Sequence, residues 1–467
     1  MKKVLLINPP WVIGENKNLW KQIASCWPSL GLAYIAAVLE HEGHQVYYLD
    51  CSAEHYTVGD LEKVLKNYTD LDFIGITATT PLINNALAVA DIAKKLFNKV
   101  KIVIGGVHAS VLPEEVLVHP AVDFVVIDEG EKTMKELVSG KEPKDILGLW
   151  YKKDNQIVKN QLRPLIQNLD DIPPPAYHLL PMDKYYPAIG SYKRLPAMML
   201  FATRGCPGRC TFCYRTFRGR VRKRSAKNII DEIKILQKNY GIKEVAFYDD
   251  TFTLFKDVIK DFCDIIIKEK IDISWSCFTR VDYVDEELLG IIKKAGCHLI
   301  LFGVESADEK ILQNINKRIS LDQVKQVVKL ARKIGIETRA SFMFGNQGET
   351  EETIKKTISF ALELDPDEVQ FNITTPYPGT ELFQWAKERG YIKSFNWNDY
   401  SMSNVVMELP EANQEKLQYY YNLAHRRFYF RPKIILRRLF NIRSWNQLKQ
   451  EIKGGLALFN FFYEKSK

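Results

Sequence analysis

Three cysteines, Cys206, Cys210 and Cys213, fall in the stretch Thr203-Arg204-Gly205-Cys206-Pro207-Gly208-Arg209-Cys210-Thr211-Phe212-Cys213, a C-x3-C-x2-C spacing. Three thiols in eight residues point to metal binding. Structural zinc usually takes four ligands, commonly two separated Cys or His pairs, and the next cysteine here is Cys263. A cubane iron-sulfur cluster is held by thiolates closely spaced on one loop. With three thiolates, one iron of such a cluster would be left open to a ligand that is not protein. A zinc site of three thiolates plus one further ligand is the alternative.

The loop needs elements to hold it. It follows the apolar run at 197–202, which reads as a strand, and precedes a helix opened by Ser225 and carried by Ile229, Ile230, Ile233, Leu236 and Tyr240. Further strands are expected at 244–248, 273–278, 299–303, 338–344 and 368–372, with helices between them; Ser320 to Gln323 reads as a capping box. About six strand-helix units are fewer than the eight of a closed barrel, and chemistry belongs at the carboxyl ends of their strands.

Ahead of this core, five short apolar runs at 3–8, 45–49, 73–77, 101–105 and 124–127 alternate with helical patterns such as 30–40 and 83–96. That alternation predicts a doubly wound parallel sheet with its ligand site beyond the strands' carboxyl ends. The loops there read Asn8-Pro9-Pro10-Trp11, Thr77-Ala78-Thr79-Thr80-Pro81, Gly105-Gly106-Val107-His108 and Asp128-Glu129-Gly130-Glu131. Glycine pairs and hydroxyls let backbone approach a large ligand. His108 reads as structural. The expected organisation is a first domain over 1–145, a linker over 146–195 with Pro173-Pro174-Pro175 as a stiff strut, a core over 196–390 and a helical basic extension over 391–467.

At 467 residues, two or three domains are expected from about 150 residues each. Hydrophobic residues at 46% and a mean hydropathy of -0.20 suit a soluble chain with proper cores, and no apolar run approaches the ~20 residues of a membrane span. With no signal-peptide pattern behind Met1-Lys2-Lys3, the expected location is cytoplasmic. Eight cysteines are too sparse for a disulfide scaffold, and the five outside the loop, Cys26, Cys51, Cys263, Cys277 and Cys297, read as reduced, mostly buried small residues.

The cysteine loop, with Phe212 directly before the third thiol, resembles that of radical S-adenosylmethionine (SAM) enzymes. The strand-end loops of the first region, taken together and in order, resemble the cobalamin-binding domain that precedes the radical core in one large branch of that family, which includes methyltransferase-like and anaerobic cyclase-like proteins. The resemblance implies an α/β chain: a Rossmann-like cobalamin domain and an open (β/α)6 partial barrel. It implies a [4Fe-4S] cluster on Cys206, Cys210 and Cys213, SAM near Phe212, Asp249, Asp250, Arg280, Glu305, Ser306, Arg339 and Gly345, and cobalamin near Asn8, Pro9, Thr77, Thr79, Gly105, Gly106, Val107, Gly130 and Glu131. Arg280 and Arg339 are candidates for the SAM carboxylate, a task suited to a guanidinium fork. For Glu305 a salt bridge across the barrel mouth is the competing role. The sequence departs from the family in three places. Tyr248-Asp249-Asp250-Thr251 stands where Gly-Gly-Glu is usual, Gln347 where many relatives have proline, and no His precedes His41, so the resemblance implies either cobalamin bound without a protein histidine below or a domain that has lost cobalamin.

These parts imply reductive cleavage of SAM and, with cobalamin, methylation of an unactivated carbon, the electron coming from a flavodoxin or ferredoxin type donor. Competing expectations are a cobalamin-associated radical cyclase or carbon-carbon-bond-forming enzyme on a lipid or tetrapyrrole and, from another class, a non-catalytic corrinoid or iron-sulfur binder. Residues 425–443 carry Arg426, Arg427, Arg431, Lys433, Arg437, Arg438 and Arg443 with no acidic residue, and Ile435, Leu436, Leu439 and Phe440 on one helical face. That pattern suits peripheral contact with an anionic membrane, with 456–463 beside it, and makes a lipid a candidate substrate. The even alternative is that the face packs on the barrel; nucleic acid is the least favoured partner.

Overall fold

The first sheet is built from five parallel strands whose apolar runs are buried on both faces: β1 (Lys3–Asn8), β2 (Gln45–Asp50), β3 (Phe73–Thr77), β4 (Lys101–Gly105) and β5 (Phe124–Val126). In the computed structural model, which describes residues 1–11, 25–154, 156–440, 452 and 454–456, their order is β2-β1-β3-β4-β5. The order reverses between β1 and β3, so a crevice opens at the carboxyl ends beside that switch. The sheet does not stop at residue 145. Two antiparallel strands, β6 (Leu149–Lys153) and β7 (Gln156–Lys159), extend it past β5, with Tyr151 opposite Phe124, so the expected linker starts later. The remaining connection is packed rather than free: Ile166, Leu169, Ile172, Tyr177 and Tyr185 are buried in the large core of the second domain.

That second domain is a six-stranded, wholly parallel sheet of β8 (Ala197–Leu200), β11 (Glu244–Phe247), β12 (Ser274–Thr279), β13 (Cys297–Glu305), β14 (Glu337–Phe344) and β15 (Glu368–Ile373), in the order β15-β14-β13-β12-β11-β8. A short antiparallel ribbon, β9 (Thr203–Arg204) with β10 (Arg222–Lys223), leaves the end of β8. Each strand feeds an amphipathic helix, as the open six-unit barrel requires. Ser225 caps the helix Ala226–Tyr240 by accepting from the Asn228 amide at 3.1 Å. Ser320 accepts from the Gln323 amide at 3.1 Å, one of the two bonds of the expected capping box.

The extension is divided in its loyalties. Trp397, Tyr400 and Val406 are buried in a core cluster of the first domain. The helix Gln414–Tyr429 then lies along β15, the outermost strand, where the Tyr429 hydroxyl bonds both the amide and the carbonyl of Val369. The helix Pro432–Phe440 follows. The cations here are not simply solvated: Arg431, just ahead of the helix, and Arg437 within it reach Asp365 at 3.0 and 2.8 Å, and Lys433 joins them at 2.7 Å. Ile434 is buried, while Ile435 and Leu436 of the expected apolar face are exposed. The side chains of Arg438, Leu439 and Phe440, together with Arg443 and most of the stretch 456–463, lie outside the described residues. No helix among the described residues is long and apolar enough to cross a membrane.

Candidate functional site

At the end of β11 the buried Asp249 carboxylate takes the amides of Ala202 and Thr203 and, at 2.6 Å, the Thr203 hydroxyl. Burial pushes its carboxyl up to about 6, opposed by those bonds. Asp249 therefore fixes the exit of β8 and does not line a cavity, which corrects its expected contact with SAM. The loop then turns at Gly205, whose φ of +94° brings the position a Cβ would occupy within 2.3 Å of the Arg220 carbonyl. A side chain there would collide with backbone, so only glycine closes the ribbon onto the cysteine loop.

Cys206, Cys210 and Cys213 line one cavity of about 1120 Å³ including its open mouth. The Gly208 amide donates to Cys206 Sγ at 3.3 Å, and Thr251 Oγ1 stands 3.6 Å from the same sulfur. Burial raises the Cys210 thiol pKa, with Lys317 and Arg280 opposing it, so metal binding must release that proton. Phe212, Asp250, Arg280, Glu305 and Arg339 share this cavity. Their charges are largely spoken for. Glu305, at a φ of +73°, meets the buried Lys317 ammonium at 2.9 Å, so the competing salt-bridge role is realised on the cavity wall. Burial pulls the Lys317 ammonium down, but Glu305 and Cys210 together offset it and leave the pKa raised. Arg280 forks onto Asp282 at 2.9 and 3.0 Å, and Arg339 binds Glu368 on the neighbouring strand. Ser306 and Gly345 are not brought to the cavity. Ser306 is buried against Thr357, and Gly345 packs on Leu417 of the helix Gln414–Tyr429.

A second cavity, about 1200 Å³ with its mouth, lies between the carboxyl ends of the first sheet and the cysteine-loop side of the barrel. Thr77, Gly105, Gly106, Gly130 and Glu131 line it as expected from the sequence. Asn8, Pro9, Thr79 and Val107 do not: Asn8 bonds Asp50 at 2.9 Å, Pro9 is buried, and Thr79 and Val107 are exposed elsewhere. Glu131 lines the cavity with its carboxylate already paired to Arg204 at 2.6 Å. Glu129, from the same acidic loop, takes Arg204 at 2.8 Å and Arg222 at 2.7 Å, and Asp128 takes Arg218 at 2.9 Å. These carboxylates join the domains. Sequence reasoning missed the arginines because each lies 70 to 100 positions from its partner; the signal was Arg204, standing inside the cysteine motif itself.

The donor sets fit the implied groups. Three thiols on one cavity wall suit a cluster with an open iron, although among the described residues no three such side chains converge on a single ion. On the other side, glycines bring backbone to the wall; Gly106, at φ +93°, has the Ala78 carbonyl 2.7 Å from where a Cβ would be. Among the described residues no histidine lines that cavity. His108 is buried 5.4 Å from the Trp397 ring, bonded to Thr80, and is structural. A corrinoid held there would meet backbone and apolar side chains and no imidazole from these lining residues.

Fold and sites together define a radical SAM core joined to a corrinoid-type domain. Comparison with known proteins agrees: the Radical SAM superfamily model matches residues 200–361 and the B12 binding domain model residues 19–138. The uncharacterised methyltransferase PH0819 of Pyrococcus horikoshii is 40% identical, covering 98% of each chain. An anaerobic magnesium-protoporphyrin IX monomethyl ester cyclase of Rubrivivax gelatinosus is 31% identical over 88% of this chain and 74% of its own. Among solved structures, the cobalamin-dependent radical enzyme OxsB with aqua-cobalamin and SAM has a TM-score of 0.74 at 18% identity, covering 99% of this chain and 72% of that one. The chain belongs to the cobalamin-binding radical SAM protein family. It is an enzyme, its cofactors are a [4Fe-4S] cluster, SAM and cobalamin, and its chemistry requires a one-electron reductant and an organic substrate.

Proposed function

We propose that the protein is a cobalamin-dependent C-methyltransferase acting on an unactivated carbon. One observation carries this reading: the two cavities meet, with Thr216 and Asp250 bordering both. When bound, the cofactors supply a radical able to take a hydrogen atom from carbon and a methyl group to replace it. The chain's own residues do the positioning. The cysteine loop holds the cluster, Asp249 fixes that loop to β8, and the Glu129, Arg204 and Arg222 contacts hold the cobalamin domain at a set distance from it. A substrate seated at Thr216 and Asp250 would be reachable from both sides. The 40% identical relative carries the name of a methyltransferase, which supports the reading.

The electron donor is of flavodoxin or ferredoxin type. A lipid is the substrate class supported by the extension, where exposed Phe430, Ile435 and Leu436 accompany exposed Arg426 and Arg427. Each such cation contributes ~1 kcal/mol near anionic headgroups. Binding of Ile435→Ser/Leu436→Ser to anionic liposomes should fall, and binding equal to that of the parent removes the membrane contact.

The test of the reaction is anaerobic: reconstituted protein, reductant, methyl-deuterated SAM and a lipid and metabolite extract from cells lacking the gene. Methyl transfer predicts 5'-deoxyadenosine together with a product carrying the deuterated methyl. A new product without the label would favour cyclisation, the activity named for the 31% identical relative. Neither 5'-deoxyadenosine nor label from a protein with an intact cluster overturns the proposal.

A further inference from the structure

The cysteine loop has an outer side as well as a cavity side. Cys206, Gly208, Cys210, Phe212 and Cys213 line the cluster cavity, whereas Pro207 and Arg209 do not and are exposed. The turn 315–318 is stapled to the same loop at three points. The Thr211 amide donates to the Ile315 carbonyl at 3.1 Å, the Asn316 carbonyl stands 3.9 Å from Cys210 Sγ, and Asn316 Nδ2 donates to the Arg209 carbonyl at 2.8 Å. Arg318 Nε then closes the turn onto Asn316 Oδ1 at 2.8 Å. Asn316 and Arg318 both lie in the left-handed region, at φ of +53° and +52°. Asparagine tolerates that conformation, but an arginine is strained there and keeps it only because its surroundings hold it.

The staple places two exposed guanidinium groups, Arg209 and Arg318, on adjoining turns beside a cluster thiol. Their situation differs from that of the arginines around them: Arg204, Arg218, Arg222, Arg224 and Arg280 each hold a carboxylate. Among the described residues Arg209 and Arg318 pair with none, and neither lines a cavity, so neither is placed to meet SAM or the substrate. Like charges fixed together without a counter-charge repel, and an anionic surface that covers them gains from both. We infer that this outer turn is the docking surface of the one-electron donor, a small acidic protein of flavodoxin or ferredoxin class. The docked donor is then one turn of chain away from Cys210. One electron crosses and no bond forms or breaks: a flavin hydroquinone anion becomes the neutral semiquinone, and the cluster gains the electron.

The inference rests on the donor class proposed above, and its test reads binding and electron transfer rather than methyl transfer. Cluster-loaded holoenzyme is titrated with fluorescently labelled, oxidised flavodoxin, and semiquinone formation from flavodoxin hydroquinone is followed separately by stopped flow. Arg209→Glu/Arg318→Glu should weaken binding and slow transfer about tenfold or more at low ionic strength. In about 0.5 M salt the difference should shrink to within about threefold. The milder Arg209→Gln/Arg318→Gln should fall between that variant and the parent. Lys144→Glu/Lys153→Glu makes the same change in net charge on the exposed surface of the first domain and should stay within about threefold of the parent. Photogenerated 5-deazaflavin radical, small and uncharged, should bleach the cluster of every variant at the same rate. Parent-like binding and transfer in both arginine variants overturn the inference, as does an equal loss in the lysine control, which would assign the effect to net charge. Slower bleaching by 5-deazaflavin in the arginine variants assigns these residues to holding the cluster and overturns it too. A parent reduced by 5-deazaflavin but by neither flavodoxin nor ferredoxin refutes the donor class and the surface together, whereas reduction by either donor with no sensitivity to the arginines refutes the surface alone.

Discussion

Replacing Glu129 by Gln tests the contact between the two cofactor domains. The buried carboxylate accepts four hydrogen bonds: one from Arg204 Nη1 at 2.8 Å, two from Arg222 Nη1 at 2.7 and 2.8 Å, and one from the Ile166 amide at 2.8 Å. Both oxygens are used, so an amide NH2 faces N–H donors whichever way the glutamine is turned. Arg204 keeps Glu131, but Arg222 pairs with no other carboxylate among the described residues, and its Nε and Nη2 already lack partners. The substitution therefore leaves a buried guanidinium without its counter-charge, a change of ~3–5 kcal/mol. At about 2 °C per kcal/mol for a large chain, the first calorimetric transition should fall by roughly 5–10 °C. The control is Glu114→Gln, whose partner Lys159 is exposed, where at most ~1 kcal/mol is expected. Because the network is shielded, raising the salt should hardly change the difference between the two variants. Equal shifts for Glu129→Gln and Glu114→Gln would refute the argument that buried charge joins the domains.

Gly106→Ala should destabilise the first domain by at least ~1–2 kcal/mol and weaken cobalamin retention, since a left-handed backbone and a carbonyl at 2.7 Å both oppose a Cβ; unaltered retention on gel filtration contradicts this. Burial holds the His108 imidazole down to about 4, against ~6.5 in an unfolded chain. The unfolded state thus binds the proton first, and the stability is present above pH 6.5 and lost as the pH falls toward 4, by roughly 3 kcal/mol. Amide exchange across 397–406, packed beside His108 with Thr80 and Glu115, should accelerate over that window and do so less in His108→Gln; equal acceleration in both rejects the assignment. Asp365→Asn should release Arg431, Lys433 and Arg437, and with them the helix Pro432–Phe440, at a cost of ~1–3 kcal/mol, seen as faster tryptic cleavage at Arg437 with SAM binding unchanged. A cleavage rate equal to the parent's would show that the apolar contacts of Ile434 hold that helix.

The strands were legible because buried parallel strands are written as unbroken apolar runs, and the cluster loop because its spacing admits few alternatives. β6 and β7 were not, since two short antiparallel edge strands with lysines at their ends look like the polar linker that follows. At the site, the limit was direction. Nothing in Tyr248-Asp249-Asp250-Thr251 distinguishes the aspartate that grips the β8 backbone from the one that faces both cavities; the bend after β11 decides it. Arg339 lines the predicted cavity, yet the strand beside it supplies Glu368 as a partner, a pairing set by register between β14 and β15. The acidic loop after β5 had the composition of a ligand loop. Its role in joining the domains depended on arginines far along the chain, and only the tertiary fold brings them together.

The burial of Trp397, Tyr400 and Val406 in the core of the first domain also sets a schedule for the ribosome. Ile127, which closes the apolar run around β5, is made long before Tyr400. At ~5–20 residues per second that interval is roughly 14–55 s, during which the nascent domain presents an unfilled apolar face. Its completion therefore waits until the radical core has been synthesised, and a nascent chain stalled before residue 397 should be held by chaperones rather than folded.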